Sequence, residues 1–264
     1  MQIYKEYLNT LEKIGINKGD VLYLTSDLLQ TIIYFKKKKK KFDLNRFLNT
    51  FIFYLGEQGT LVLPTFNWDY CAKKTFDINN TKSKCGSLSN LALKREDFCR
   101  TKHPIYSFAV HGKYKDYLCN LKNRSAWGKN SPFSFLNKIK AKNLFIGLDY
   151  KKAFTMDHYY EQYSKVKYRY HKKFISYYID KNKKKTKRTY SMFVRKIEMC
   201  DATAISSKLD NILIKNNSLF FLKKNGSKFS MINIFKAGKI LIKDLKKDNS
   251  KLIYPIKLEN KKIN

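Results

Sequence analysis

The segment Asn143–Glu161, NLFIGLDYKKAFTMDHYYE, carries the pattern around which the rest of the chain can be arranged. Its apolar run Leu144–Leu148 contains one glycine and predicts a buried strand that ends at that glycine. A loop follows, and Thr155–Asp157 predicts the start of a helix. In that helix His158 and Glu161 are three residues apart and therefore share one face.

This pairing of an imidazole with a carboxylate suggests proton transfer. A histidine at a strand-to-helix turn, with a carboxylate one helical turn away, can act as a base. The same spacing also fits a polar helix face without any chemical role. Spacing alone does not separate these two interpretations.

The composition predicts a folded, globular chain. It has 264 residues, of which 43% are hydrophobic and 15% aromatic, enough for one large or two small domains with a substantial core. The five cysteines, Cys71, Cys85, Cys99, Cys119 and Cys200, are odd in number and lack metal-ligand or redox-motif spacing, so we expect reduced thiols. The sequence shows no signal peptide and no apolar run of membrane-spanning length, which predicts a soluble cytoplasmic protein.

The charge is strongly positive. Lysine and arginine number 55 against 21 acidic residues, a formal net charge of +34. This excess favours phosphate-bearing partners such as nucleic acid, acidic lipid, coenzyme A or a nucleotide sugar. An A+T-rich genome would produce the same lysine-rich bias without selection for any anion. The six consecutive lysines Lys36–Lys41 predict a solvated loop or helix end.

The order of predicted elements indicates an α/β fold. Strands at Val21–Leu24, Thr60–Pro64 and Ser107–Val110 alternate with helices in the first half of the chain. Hairpins gather later, one within Lys165–Arg195 and one that turns at Asn225-Gly226. We therefore expect a single domain over residues 1–264, a layered α/β/α fold with a central mixed sheet and a β-rich C-terminal annex at about 165–235.

Several short segments, taken together and in order, resemble the antibiotic N-acetyltransferase family, whose best-known members are aminoglycoside 3-N-acetyltransferases. The resemblance covers about residues 15–165, and Tyr168–Tyr170 and Phe193–Arg195 extend it. The matching segments are Gly19-Asp20 and Ser26-Asp27-Leu28; Gly59–Thr65; Phe76-Asp77 and Gly86; Arg100 with His103-Pro104; Ser107–Gly112; Trp127-Gly128 with Ser131-Pro132-Phe133; Ile146-Gly147; and Thr155 with His158–Glu161.

The resemblance implies acetyl transfer from acetyl-CoA to an amino group of a sugar or aminocyclitol ring. It identifies His158 as the general base and Glu161 as the carboxylate that orients it, with direct transfer and no metal. It would place coenzyme A against Ser26, Asp27 and Leu28, and Ser107, Ser131 and Thr155 are further candidate contacts. His103 is expected to be structural, and the sequence gives no oligomeric state.

One departure concerns the acceptor. Aminoglycoside-modifying members often carry acidic residues where this chain has Thr189–Arg195, which contains none. A polycationic drug should prefer a negative pocket, so an amino sugar, such as one carried on a nucleotide for surface glycan synthesis, fits the charge better than drug resistance. Two alternatives remain: a basic nucleic-acid-binding protein without catalysis, and a family member that binds acyl-CoA without turnover, against which intact His158 and Glu161 count.

Overall fold

The computed structural model describes residues 1–199, 208–247, 250 and 252. Its strands are β1 (Val21–Ser26), β2 (Thr60–Pro64), β3 (Phe76–Asp77), β4 (Cys99–Arg100), β5 (Phe108–Gly112), β6 (Lys142–Ile146), β7 (Arg169–Ile179), β8 (Lys185–Arg195), β9 (Leu219–Lys224) and β10 (Ser227–Asn233). Its α-helices are α1 (Leu8–Lys13), α2 (Leu29–Lys37), α3 (Leu44–Leu55), α4 (Ser87–Ala92), α5 (Lys115–Asn120), α6 (Pro132–Lys138), α7 (Tyr150–Ala153), α8 (Met156–Tyr163), α9 (Lys208–Lys215) and α10 (Ile234–Lys247). Short 3-10 helices span Lys5–Tyr7 and Asp69–Ala72.

A seven-stranded mixed sheet forms the centre of the fold, in the order β4-β5-β2-β1-β6-β10-β9. Strand β1 is parallel to both β2 and β6, and the outer pairs are antiparallel. Alternate side chains of a strand point to opposite faces of the sheet, and here both sets are buried, so both faces are covered. Val21 and Tyr23 pack into one apolar cluster, and Leu22 and Leu24 pack into the other.

Helices fill the layers on either side. Helix α3 contributes Phe47 and Phe51 to the cluster that contains Leu22, whereas α8 and α10 contribute Met156 and Leu241 to the opposite cluster. The predicted layered α/β/α fold with a central mixed sheet is therefore confirmed.

The late hairpins divide between two sheets. Strands β7 and β8 pair over their full length and join β3 in a separate three-stranded sheet, which is the β-rich annex. The predicted extent of the annex, about 165–235, is wrong at its C-terminal end, because β10 pairs with β6 and extends the central sheet. Its side chains explain this position: Phe229 and Met231 enter one apolar cluster and Ile232 enters the other, as a strand covered on both faces requires.

Local sequence signals explain several boundaries. The Asp43 carboxylate accepts a hydrogen bond from the Arg46 amide at 2.9 Å and caps α3. Ser131 caps α6 in the same way, with Pro132 in the first turn. Asn225 and Gly226 both have positive φ, as a tight hairpin turn requires.

Other expectations are met in part. Helix α2 ends at Lys37 and the lysines after it are exposed, as predicted for Lys36–Lys41. The sequence also predicts a helix over Ala202–Lys215; residues 202–207 lie outside the described residues, and Lys208–Lys215 forms α9. Among the residues that the structure describes, no helix combines the length and apolar character needed to cross a bilayer.

A glycine fixes the junction between β6 and the segment that leads to α8. Gly147 has φ +71°, and a Cβ atom there would lie 2.1 Å from the carbonyl oxygen of Asp27, which follows β1. Gly56 has a similar φ, +67°, but a Cβ there would meet nothing within 4 Å. Alanine substitutions at these two positions therefore distinguish the cost of backbone strain from the cost of steric overlap.

We expect Gly56→Ala to lower the free energy of unfolding by about 1–3 kcal/mol through strain alone. Gly147→Ala should lower it by a further 1–3 kcal/mol, roughly, because overlap is added to the strain. Urea unfolding of both variants measures the difference. Equal losses would show that the contact between Gly147 and Asp27 is relaxed at little cost.

Candidate active site

Helix α8 brings His158 and Glu161 together after β6. The prediction that they share a helix face is confirmed, because Nδ1 of His158 lies 3.0 Å from Oε2 of Glu161. The helix begins after Thr155, but the Thr155 hydroxyl makes no capping bond to it and instead donates to the carbonyl of Ala153.

The Glu161 carboxylate is completely buried and bonded on both oxygens. Oε2 accepts from Nη2 of Arg169 at 2.8 Å as well as from His158, and Oε1 accepts from the Tyr168 hydroxyl at 2.9 Å. Nη1 of Arg169 donates to the carbonyl of Phe193 on β8 at 2.9 Å. The annex hairpin therefore supplies the positive charge that a buried carboxylate needs.

Opposing effects set the ionisation of Glu161. Burial alone raises the pKa of its carboxyl, but the hydrogen bond from His158, the charge of Arg169 and the bond from Tyr168 outweigh burial and hold that pKa below its ordinary value. Glu161 is therefore ionised at neutral pH.

His158 lies between two carboxyl groups. Its Nδ1 is 3.0 Å from Oδ1 of Asp157 and 3.0 Å from Oε2 of Glu161. Two carboxyl oxygens at 3.0 Å from Nδ1, against one guanidinium nitrogen at 3.2 Å, favour the proton of the neutral ring on Nδ1. That tautomer leaves a lone pair on Nε2. The ring stands edge-to-face against Trp127, with centroids 5.0 Å apart, and the side chain keeps 23% of its surface exposed. A partly open imidazole, held at one nitrogen and basic at the other, can accept a proton.

The same cluster has the composition of a metal site but the contacts of an ion-pair network. Ligand atoms of Asp157, His158 and Glu161 all lie within 4.8 Å of one another. However, Nη2 of Arg169 is 2.8 Å from Glu161 Oε2 and 3.2 Å from His158 Nδ1. A divalent cation bound there would be repelled by the guanidinium that is already paired with Glu161.

Three of the predicted coenzyme contacts lie where β1 ends. Ser26 is the last residue of β1 and is half-buried. The amide of Asp27 donates to the carbonyl of Ile146 at 2.8 Å, and its carboxylate accepts from the amide of Leu29 at 3.0 Å. Leu28 is buried. Thr155, also predicted, is half-buried and directly precedes α8.

The other two predicted coenzyme contacts have internal bonds. Ser107 is fully buried between β4 and β5, where its hydroxyl donates to the carbonyl of Thr65 at 2.9 Å and accepts from Nε of Arg100 at 3.0 Å. Ser131 is also buried and caps α6. The hydroxyl groups of both serines thus have hydrogen-bond partners within the fold.

Three residues of the cluster were not singled out from the sequence. Asp157, Tyr168 and Arg169 complete the surroundings of His158 and Glu161, although Tyr168-Arg169 lies within a segment that carries the family resemblance. A buried, ionised glutamate requires a cation nearby. An arginine shortly after the predicted helix was therefore the sequence feature that could have identified Arg169.

His103 has the structural role that was expected. It is fully buried, and its Nδ1 accepts hydrogen bonds from the amides of Ile105 and Tyr106. Burial lowers the pKa of His103 to about 3, so the ring is neutral and holds its loop.

Because the pKa of Glu161 is lower in the folded protein than the value of about 4.3 in an unfolded chain, its ionised form contributes stability above that value. This contribution disappears as pH falls through the folded pKa. We expect Glu161→Gln to lower the free energy of unfolding by about 3 kcal/mol at neutral pH. The difference from the wild type should shrink as the pH falls below about 4.3 and through the lowered pKa of Glu161.

Denaturant unfolding of both proteins across this pH range measures the effect. Asp180→Asn is the control, because Asp180 pairs with Arg188 at the surface, where an ion pair contributes about 1 kcal/mol or less. A difference for Glu161→Gln that is unchanged in acid would contradict the lowered pKa.

Comparison with known proteins places these features in a family. The model of the aminoglycoside 3-N-acetyltransferase family matches residues 35–219. Among solved structures, the aminoglycoside acetyltransferase AAC(3)-Xa superposes with a TM-score of 0.75 at 13% identity and covers 90% of each chain. YokD of Bacillus subtilis has a TM-score of 0.74 at 18% identity, with 95% of this chain and 96% of that chain covered.

AAC-IIIb, solved as a binary complex with CoASH, has a TM-score of 0.72 at 13% identity, with 91% of this chain and 95% of that chain covered. No curated protein sequence matches this chain. At these identities the structural likeness establishes the fold, and the family model establishes the relationship. The chain belongs to the aminoglycoside 3-N-acetyltransferase family, and it is an acetyl-CoA-dependent acyltransferase.

Proposed function

We propose that the protein transfers an acetyl group from acetyl-CoA directly to a primary amine, with Nε2 of His158 as the general base. The observation that carries this proposal is the position of Nδ1 between the carboxyl groups of Asp157 and Glu161, which orients the ring and leaves Nε2 basic. A positioned base of this kind contributes about 10²–10⁴-fold to the rate.

The reaction requires two proton transfers, one from the attacking amine to His158 and one from His158 to the departing thiolate. A neutral amine attacks the thioester carbonyl, and Nε2 takes a proton from the attacking nitrogen as the C–N bond forms. The C–S bond then breaks, and the departing thiolate of coenzyme A receives the proton. An amide and free coenzyme A result, without an acyl-enzyme, and the enzyme contributes further by holding both substrates in contact.

Charge in the cluster supports the imidazolium that forms during this step. Oδ1 of Asp157 and Oε2 of Glu161 both lie 3.0 Å from Nδ1 of His158. The positive charge that forms on the ring is therefore stabilised by the ionised Glu161 and by the Asp157 carboxyl group. Arg169 also keeps Glu161 ionised, so it acts as a positioning residue.

For acetyl-CoA, the carboxyl edge of the parallel strands is the proposed site. Strands β1, β2 and β6 end there, and ligands of α/β sheets bind in the crevice outside the carboxyl ends of strands. Ser26, Asp27, Leu28 and Thr155 are the proposed contacts, since β1 ends at Ser26 and Thr155 precedes the helix that carries His158.

For the acceptor, we propose an amino sugar that carries an anionic group, as a nucleotide-linked sugar does. A cavity of about 730 Å³ lies between α5, the loop of residues 121–131 and α6. Its lining includes the cations Lys122, Arg124, Lys129 and Lys138 but no carboxylate. This cavity adjoins α8, because the Ser125 hydroxyl on its wall bonds to Oε1 of Gln162 at 3.1 Å. Gln162 is one helical turn after His158.

Aminoglycosides are the competing acceptors. AAC-VIa has been solved with sisomicin, and a histidine-to-alanine mutant of AAC(3)-IVa has been solved with apramycin. Such polycations would be repelled by a cavity lined by four positive side chains, whereas a diphosphate would be attracted. The electrostatics therefore favour an anionic acceptor, and we propose surface glycan synthesis as the use of the product.

Replacement of His158 by alanine should lower kcat for acetyl transfer by about 10²–10⁴-fold, because the base is removed. Acetyl-CoA binding should persist, since none of the proposed coenzyme contacts changes. Release of free thiol from acetyl-CoA measures turnover, and calorimetry measures binding. His171→Ala, which removes an exposed histidine on β7, is the matched control and should retain full activity. Undiminished turnover in His158→Ala would refute the assignment.

A panel of nucleotide-linked amino sugars and aminoglycosides tests the acceptor, with kcat/KM highest for the nucleotide-linked sugars. In the Lys129→Glu/Lys138→Glu variant, KM for these sugars should rise at least about tenfold through repulsion, with KM for acetyl-CoA unchanged. Lys40→Glu makes the same kind of charge change outside the cavity and should leave both constants unaltered. A rise confined to acetyl-CoA would assign the cavity to the coenzyme instead.

A further inference from the structure

Two cysteines outside the His158 cluster lie side by side where the central sheet meets the annex. Cys99 begins β4 and Cys119 lies in α5. The two thiols share a hydrogen bond, and Nζ of Lys181, in the turn after β7, lies 3.0 Å from the sulfur of Cys99. An ammonium group this close stabilises the thiolate form.

The surroundings shift the pKa values of the two thiols in opposite directions. The hydrogen bond from Cys119, followed by Lys181 and the charge of Lys115, holds the pKa of Cys99 below its ordinary value. The same hydrogen bond, together with burial and the nearby Asp116, raises the pKa of Cys119. Cys99 therefore carries the negative charge and Cys119 keeps its proton. In this arrangement the Cys99 sulfur is the nucleophile, and the Cys119 thiol can react in a second step.

Access also differs between the two sulfurs. Cys99 is half-buried and lines an open cavity of about 510 Å³, whereas Cys119 is only 3% exposed. Lys181 lines this cavity and also an adjoining one of about 450 Å³, which Cys119 borders. A small reagent therefore meets the Cys99 sulfur beside a positive charge.

We propose that Cys99 and Cys119 form an oxidisable dithiol in which Cys99 reacts with a small organic disulfide and Cys119 resolves the product. The Cys99 thiolate attacks one sulfur of the reagent, which breaks the reagent's S–S bond and releases one thiolate. The Cys119 sulfur then attacks Cys99 Sγ, the mixed disulfide breaks, and a second thiol leaves with the Cys119 proton. The protein loses two electrons and the Cys119 proton, and the reagent becomes one thiolate, which takes its proton from solvent, and one thiol.

Oxidation would change the contact between the two sheets. In the reduced protein, the Cys99 thiolate on β4 and the Lys181 ammonium on the β7–β8 turn form a direct ionic hydrogen bond between the central sheet and the annex. A neutral disulfide replaces the thiolate and removes this attraction. The hairpin that carries Arg169 is then less strongly held at its other end.

Two other cysteines of the chain, Cys71 and Cys85, serve as internal controls for the reactivity of Cys99. Cys71 is half-buried like Cys99, but burial raises its pKa to about 11. Burial also raises the pKa of Cys85. Exposure alone would allow these thiols to react as readily as Cys99, whereas thiolate character predicts that Cys99 reacts first.

The full-length Cys200→Ser protein is incubated with oxidised glutathione at pH 7, alkylated and digested without reduction. We expect peptide mapping to find a Cys99–Cys119 disulfide before any glutathione adduct at Cys71 or Cys85. In Cys119→Ser, or Cys119→Ala if serine disturbs the fold, Cys99 should accumulate a stable glutathione adduct. Lys181→Met should slow modification of Cys99 at least about fivefold, because the thiolate fraction falls.

Two results would overturn the proposal. One is modification of Cys71 or Cys85 as fast as that of Cys99. The other is a Cys99 adduct that persists in the protein with Cys119 intact, because Cys119 would then not be a resolving thiol. The mapping of the protein that retains both thiols does not depend on the folding of the Cys119 variants.

Discussion

The buried carboxylate of Glu161 is the constraint on which the site depends. A charge with no exposed surface is unfavourable unless its oxygens are bonded and its charge is balanced. Here the balance comes from three directions: His158 on the same helix, Tyr168 in the following segment, and Arg169 at the start of the annex hairpin. The carboxylate therefore joins α8 to the second sheet, and the imidazole orientation follows from that junction.

The central sheet determines where this junction lies. The parallel arrangement of β2, β1 and β6 brings their carboxyl ends to one edge, and α8 follows β6 after a short helix and loop. The Gly147 turn allows the chain to leave β6 directly against the residue that follows β1. A substrate bound at this edge, as we propose, would meet the histidine that α8 carries.

Much of this architecture was predictable because its signals are local. Apolar runs of four or five residues identified β1, β2 and β6, and Asp43, Ser131 and Asn225-Gly226 marked two helix starts and a turn. The position of β10 was not predictable in this way. A hairpin with apolar side chains on alternate faces pairs equally well with itself or with another sheet, and only the free edge of β6 decided the outcome.

The site was partly predictable for the same reason. The spacing of His158 and Glu161 brought them together because three residues of helix separate them. Arg169 reaches Glu161 through tertiary packing of the β7 start against α8, which periodicity does not encode. Ser107 fits a ligand contact by position along the chain, but its bonds to Arg100 and Thr65 show that the fold uses its hydroxyl internally.

One edge strand of the central sheet bears on how the protein behaves at high concentration. Among the described strands, β4 and β9 form the two edges, and β9 exposes Phe220 and Phe221 to solvent. An unpaired apolar border of this kind invites strand addition by a second molecule and hence aggregation. Lys223 and Lys224 end β9, and the Lys228 ammonium lies 4.0 Å from the centre of the Phe221 ring. Part of the lysine excess thereby acts as a gatekeeper against self-association, independent of any ligand.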